Sequence, residues 1–402
     1  MKTFTIATFN VKNLIGAKQE YYLFEQYSSE EYAWKEDWLA EQLTRMNPDI
    51  VGFQEIFEAE PLQKVIAGAD ERGLASNAAS IPEGRKGIGR KAIFRKLEYD
   101  PYGDAALAFA PNLSDSGPGE RRPGVAILSR FGFVDDPQAI QLLDPPIDIP
   151  FHHLGGGEAG SYQIKRLSRP ILKVRIPLGE HVVTVFNTHL KSKLGEFVRP
   201  HGARFSPEVD LLNYDAPGRA MGFLRASVRR MAEAWVLRKL VLDELDQGRP
   251  VMVLGDLNDN EHSVTLEIIE GEMPFVNYEW MRRHDARDEA DRYSPVEAAQ
   301  IRESIERVRL HSAEKLFVRK SLRDMVYTAS FGGVFESLDT ILMSRHFHPD
   351  WPGRIAEMDY FSVFNDHITD GSHPEAPYNK LASDHGQVMA HMRMRAAPEG
   401  RQ

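Results

Sequence analysis

Apolar residues recur in this chain as short unbroken runs that stop abruptly at polar side chains. The clearest run is VMVLGDLND, residues 251–259. Its first four residues do not alternate, which reads as a strand buried on both faces. Gly255 then lets the backbone pass close to a neighbour, and Asp256 and Asn258 follow two residues apart, so both side chains can leave the strand end on one side. The same signature returns along the chain. Residues 3–9 alternate as a strand and close on Asn10; DIVGFQEI (49–56) carries Glu55; GVAILSR (124–130) is buried throughout. Residues 168–176 and 181–187 read as a hairpin turning near Gly179, and its second strand runs into FNTHLKSK (186–193) with His189. SLDTILMS (337–344) holds Asp339, and in SDHGQVMAHM (383–392) Asp384 and His385 stand just before the last strand.

Helical periodicity fills the intervals. Over 29–46, Ser28 or Ser29 supplies a cap, Glu30 and Glu31 sit in the first turn, and Trp34 and Trp38 are four apart; Asn47 and Pro48 stop the helix. A second helix is predicted through about 60–72 and a long amphipathic one over 219–245. Ser294, Pro295 and Glu297 form a cap, an N1 proline and a capping-box acid, opening a helix expected to run to about residue 314 with Ile301, Ile305 and Val308 on one side. Residues 111–123 read as a loop. Residues 135–165 contain four prolines and a glycine run at 155–157, which predicts mostly loop there too. No repeat and no dividing linker interrupts the chain, so it reads as one domain with insertions at about 73–122 and 262–325.

Composition narrows the chemistry. The 402 residues include no cysteine, which removes disulfides, thiolate metal sites and cysteine nucleophiles; a hard metal on oxygen ligands remains open. No apolar run approaches the roughly 20 residues of a membrane helix. The N-terminus lacks a long apolar segment, so no secretory signal is read and a cytoplasmic location is expected. No hydrophobic loop of the kind a membrane-acting enzyme presents stands out. The formal net charge of −10 argues mildly against a nucleic-acid partner, but charge is uneven. GRKGIGRKAIFRKL (84–97) has six basic residues, among them Arg85, Lys86, Arg90 and Lys91, and no acid. Either it is a solvated loop or it meets phosphates.

Each polar strand end has a plain structural explanation by itself: Glu55 as a cap, His189 as a satisfied core histidine, Asp384 as a turn residue. Together, Asn10, Glu55, His189, Asp256, Asn258, Asp339, Asp384 and His385 are a set able to handle a metal and a phosphate.

In this set and its order, the chain resembles the endonuclease/exonuclease/phosphatase superfamily, which has the fold of deoxyribonuclease I. The pieces that carry the likeness are TFNVKNL, DIVGFQEI, GVAILSR, FNTHLKSK, VLGDLND, SLDTILMS and SDHGQV, spread from residue 8 to 388. Residues 327–344 look most like bacterial members. The resemblance implies an α/β fold (α+β in the looser sense): a four-layer α/β/β/α sandwich, two mixed sheets face to face with helices outside. It also implies Mg²⁺ or Mn²⁺ and hydrolysis of a phosphate ester. By motif, Glu55 would ligate the metal with support from Asn10 and Asp384. Asp256 would orient or deprotonate the attacking water, and Asn258 would hold a phosphate oxygen. His385 would bind the scissile phosphate, Asp339 would orient that imidazole, and His189 would face the phosphate or the leaving oxygen. The chain departs from the family at Thr340, where an aromatic or His is common.

Three functions are compatible with this. A nuclease on DNA or RNA is favoured by Lys191 and Lys193, by nearby Arg199 and Arg204, and by the 84–97 run. A phosphatase or phosphodiesterase on small esters, inositol phosphates or lipid head groups suits the acidic net charge. A non-catalytic binding module would keep the fold but is expected to lose site residues, and all eight are present.

Overall fold

The computed structural model describes residues 3–22, 25–78, 98–113, 121–151, 160–196, 212, 214–281, 292–318, 326–370 and 381–395. In chain order the elements begin with strand β1 (Thr3–Leu14), helix α1 (Ser29–Met46), β2 (Ile50–Ile56), α2 (Ala59–Ala78), β3 (Ala106–Ala110) and β4 (Gly124–Ser129). There follow β5 (Gln138–Phe151), β6 (Gly160–Leu178), β7 (His181–His189), α3 (Ala216–Asp246), β8 (Val251–Asp256) and α4 (Val264–Glu270). The last part holds α5 (Pro295–Val308), β9 (Leu310–Ser312), α6 (Ala313–Val318), β10 (Ala329–Phe331), β11 (Val334–Glu336), β12 (Asp339–Ser344), β13 (Ala356–Phe364) and β14 (Gln387–Met394).

Local chemistry sets the helix starts. Ser28 and Glu31 form a reciprocal capping box at α1, and Ser294 and Glu297 form one at α5. Asn47 ends α1 in the left-handed region at φ 43°, where Asn is tolerated better than most residues. The α5 periodicity does not carry to residue 314. The helix stops at Val308, Arg309 is extended, and Leu310, fully buried, pairs through β9 with β12. Sheet pairing there overrides the helical pattern.

Two six-stranded mixed sheets result, ordered β13-β14-β1-β2-β4-β3 and β5-β6-β7-β8-β12-β9. Each contains one parallel pair, β1 with β2 and β7 with β8, flanked by antiparallel neighbours. Apolar residues from both sheets, including Phe4, Ile127, Val185 and Leu254, pack into one core between them. The outer face of the first sheet packs on α1 and α2 through Phe9, Leu39, Leu43 and Leu62. That of the second packs on α3 and α4 through Leu237, Val241, Val253 and Leu266. The layers are therefore helix, sheet, sheet, helix, as expected for this fold.

The proline-rich stretch expected to be loop is instead largely β5 and the start of β6. β5 lies at a sheet edge, so the missing N–H groups of Pro145, Pro146 and Pro150 need not interrupt the sheet, and its register shifts twice between Ile140 and Ile147.

One buried polar bridge pins the two sheets together. Asn187 on β7 donates to Phe53 O at 2.9 Å and Ala126 O at 2.8 Å, and accepts from Gln54 Nε2 at 2.7 Å. Gly255 sets how closely β7 and β8 approach. It stands at φ +143°, and a Cβ there would lie 1.9 Å from Thr188 O. No other residue fits immediately before Asp256.

Candidate active site

Strand register brings the key side chains of the second sheet side by side. His189 on β7 is paired with Asp256 on β8, and Asp256 with Asp339 on β12. Residues opposite one another share a face, so three strands deliver three side chains to one place. The first sheet does the same at its own parallel pair, where Asn10 of β1 stands beside Gln54 of β2, just before their register shifts, and Glu55 follows. Glu55 has φ +66°, Lys12 +54°, Asn13 +55° and Asn258 +52°. Four non-glycine residues in the left-handed region around one site are the kind of backbone strain that functional sites hold.

Asp256 is the hub. Its Oδ1 accepts from the Asn258 N–H at 2.8 Å. Its Oδ2 accepts from Asn10 Nδ2 at 3.0 Å, lies 3.2 Å from His189 Nε2, and lies 3.7 Å from His385 Nε2. The other imidazole nitrogen of His385 is 2.7 Å from Asp339 Oδ2. The Asn10 amide also donates to Glu55 Oε1 at 3.3 Å, joining the two halves of the site, and Asn13 N donates to Glu55 Oε2 at 2.9 Å. Asn258 Nδ2 donates one hydrogen to Leu190 O at 3.0 Å, which leaves its second free. Asp384 is exposed and lies 3.4 Å from Lys12 Nζ.

Burial and neighbouring charge divide the protons. Burial pushes the Asp256 carboxyl up to about 7, with His385 opposing and Asp339 adding to the rise. Burial would lower His385, but Asp339 and then Asp256 more than reverse it and hold the imidazole well above its usual value. His189 goes the other way: burial, then Arg169 and His385, keep it well below, so it is neutral at working pH. Its Nδ1 is buried without a hydrogen-bond partner among the described residues, as is Asp339 Oδ1.

One cluster among the described residues has metal-ligand geometry. Asp256, Asp339 and His385 present ligand atoms within 4.8 Å of one another. A protonated imidazole has no lone pair to give, however, and His385 holds its proton between two carboxylates. Glu55 and Asp384 offer only oxygen, the ligand type a hard divalent cation takes, and Lys12 lies beside Asp384. Asn10, with its donor turned to Glu55 and Asp256, orients Glu55.

The substrate-binding candidates fare differently. Lys191 Nζ is turned to Leu194 O at 3.0 Å, and Lys193 Nζ contacts Glu336 at 2.7 and 2.9 Å. Arg85, Lys86, Arg90, Lys91, Arg199 and Arg204 lie outside the described residues. Sequence reasoning missed Arg169, whose Nη1 donates to Leu190 O at 3.2 Å while its Nε is buried without a partner among the described residues. It also missed an apolar surface beside the site. The β10–β11 hairpin exposes Phe331, Val334 and Phe335, and Thr328 at its base accepts from Asp339 N at 3.1 Å. Alternation over three-residue strands is too short a signal to find it.

No curated protein matches the sequence. Among solved structures, a truncated TDP2 from Caenorhabditis elegans is similar at 14% identity, covering 98% of each chain with a TM-score of 0.42. An endonuclease/exonuclease/phosphatase from Bacteroides vulgatus is similar at 13% identity, covering 98% of this chain and 100% of its own, with a TM-score of 0.46. The model of the Endonuclease/Exonuclease/phosphatase family matches residues 7–385, from β1 to the His385 that completes the site. The chain belongs to that family.

Proposed function

We propose that the protein is a divalent-cation-dependent hydrolase of phosphodiester bonds, with nucleic acid as its substrate. The observation that carries this is a buried carboxylate, Asp256, 3.7 Å from an imidazole whose far nitrogen rests 2.7 Å from Asp339. A base and a cationic donor then face one small volume, which is what attack of water on an anionic phosphorus centre requires. The members of the family are metal-dependent phosphoesterases and nucleases.

Each side chain has a role in that reaction. Asp256, raised toward 7, is a stronger base than an ordinary carboxylate and takes a proton from the attacking water. Asn10, His189 and the Asn258 N–H fix its orientation. The His385 imidazolium donates to a non-bridging phosphate oxygen, and Asp339 holds the ring in place. The free hydrogen of Asn258 Nδ2 serves a second phosphate oxygen. Glu55 and Asp384 would hold a Mg²⁺ or Mn²⁺ ion, which when bound neutralises phosphate charge and stabilises the charge that develops.

Cleavage of plasmid or oligonucleotide in Mg²⁺ or Mn²⁺, abolished by EDTA and weakening steeply with salt, is the expected result. Turnover of inositol phosphates or simple phosphate esters, with nucleic acid untouched, would replace nucleic acid by the second reading. That reading is favoured by one contact, since Glu336 neutralises Lys193, four residues after His189. No turnover of any phosphate ester would leave a binding module.

The same contact gives a finer test. Glu336→Gln should free Lys193 for phosphate, tighten DNA binding and steepen its salt dependence by about 0.9 in log–log slope, the value for one added phosphate contact. An unchanged slope would show that Lys193 does not reach the substrate.

A further inference from the structure

Lys35 lies on α1, in the outer helical layer, yet its side chain is 0% exposed. Its Nζ donates to Val11 O at 3.0 Å and to Leu381 O at 3.1 Å. Val11 directly follows Asn10, and Leu381 is three residues before Asp384. A second tie joins the same two segments: Ser383 Oγ donates to Asn10 O at 2.6 Å and accepts from His385 N at 3.0 Å.

A buried amine is costly, so a residue that merely filled this space would be apolar. Burial and then Lys12 push Lys35 down to about 7, while Glu55 and Asp384 pull it back up. The amine keeps at least two N–H donors whether charged or neutral, and two carbonyls take them. The Tyr27 ring also lies near it, with its centroid 5.7 Å from Nζ. Its hydrogen bonds are therefore to the backbone of β1, whose Asn10 and Asn13 donate to Glu55, and of the segment that leads to Asp384, not to a carboxylate.

We propose that Lys35 is a positioning residue that ties β1 at Val11 to the 381–385 segment and so fixes Glu55, through Asn10 and Asn13, and Asp384 relative to each other for a divalent cation. This deepens the cation reading above and rests on it. Residues that support metal ligands from behind typically change metal affinity by about 10- to 100-fold when removed.

Lys35→Met, which keeps the bulk and loses both donors, should raise the Mn²⁺ dissociation constant at least about tenfold. The measurement is direct Mn²⁺ titration of the full chain, by electron paramagnetic resonance. At saturating Mn²⁺ the turnover number should return to near the wild-type value. Without metal, amide hydrogen exchange at residues 383–387 should quicken while β8 and β12 keep their protection. Ser383→Ala, which loosens the second tie and carries the test if Lys35→Met does not fold, should show the same pair of changes. The double variant should fall short of additivity, because both ties serve one junction. Unchanged exchange overturns the proposal. So does unchanged or tighter Mn²⁺ binding, the latter being what loss of a nearby positive charge alone would give. If the wild-type chain binds no Mn²⁺, the cation reading fails, and the exchange measurement alone decides whether Lys35 ties the segments.

Discussion

Asp256→Asn should lower kcat by about 10²- to 10⁴-fold, the contribution expected of a positioned general base. The substitution keeps shape and removes basicity, so circular dichroism and thermal unfolding should still report a folded chain. The pH profile makes the test specific. In the wild type, activity should rise as pH climbs through about 7, where burial has moved the Asp256 carboxyl, because only the ionised form accepts the proton of water. That acid limb should vanish in the variant, and the residual rate should not follow an ionisation near 7. His189 sits 3.2 Å from Asp256 and is held neutral, so it cannot supply this limb in its place. Near wild-type turnover, or an acid limb that survives, would remove Asp256 from the role of base.

The parts of this site that were legible in the sequence are those where a strand announces its own end. Asn10, Glu55, His189 and Asp256 each follow or interrupt an apolar run, and Asp339 and His385 stand just before one; a buried run must stop where polar chemistry begins. The capping boxes at Ser28 and Ser294 were legible for the same local reason. What could not be read was pairing between distant residues. Nothing in FNTHLKSK says that Lys193 meets Glu336, 143 positions away. Nothing in the α1 pattern says that Lys35 turns inward to two carbonyls; on a helix a lysine is read as a solvated residue. β5 was hidden because proline signals a loop unless the strand is known to be an edge, and that depends on which strand lies beside it. The division of labour between Asp256 and His385 is equally non-local. It comes from Asp339 standing opposite Asp256 on the neighbouring strand, which makes one positive charge, on the His385 ring, serve two carboxylates.

That division predicts the opposite limb of the pH profile. His385→Ala should cost about 10²- to 10³-fold in kcat, the range for removing one preorganised donor to a developing oxyanion. In the wild type, Asp339 first and Asp256 second hold the imidazole protonated well above its ordinary range, after overcoming the opposing effect of burial. Activity that needs the imidazolium should therefore fall only as pH rises through that elevated value, giving an alkaline limb that the Ala variant lacks. Stability should follow with the matching sign. A histidine whose folded pKa lies above its unfolded value, about 6.5, contributes fully below the unfolded value and loses its contribution as pH climbs through the folded one. The wild type's advantage in thermal unfolding over the variant should accordingly be largest below about pH 6.5 and shrink in alkali. Asp339→Asn, which keeps the ring but removes the carboxylate 2.7 Å behind it, should move the alkaline limb toward acid without abolishing it. An alkaline limb that persists unchanged in both variants would mean that another group carries the proton to the phosphate.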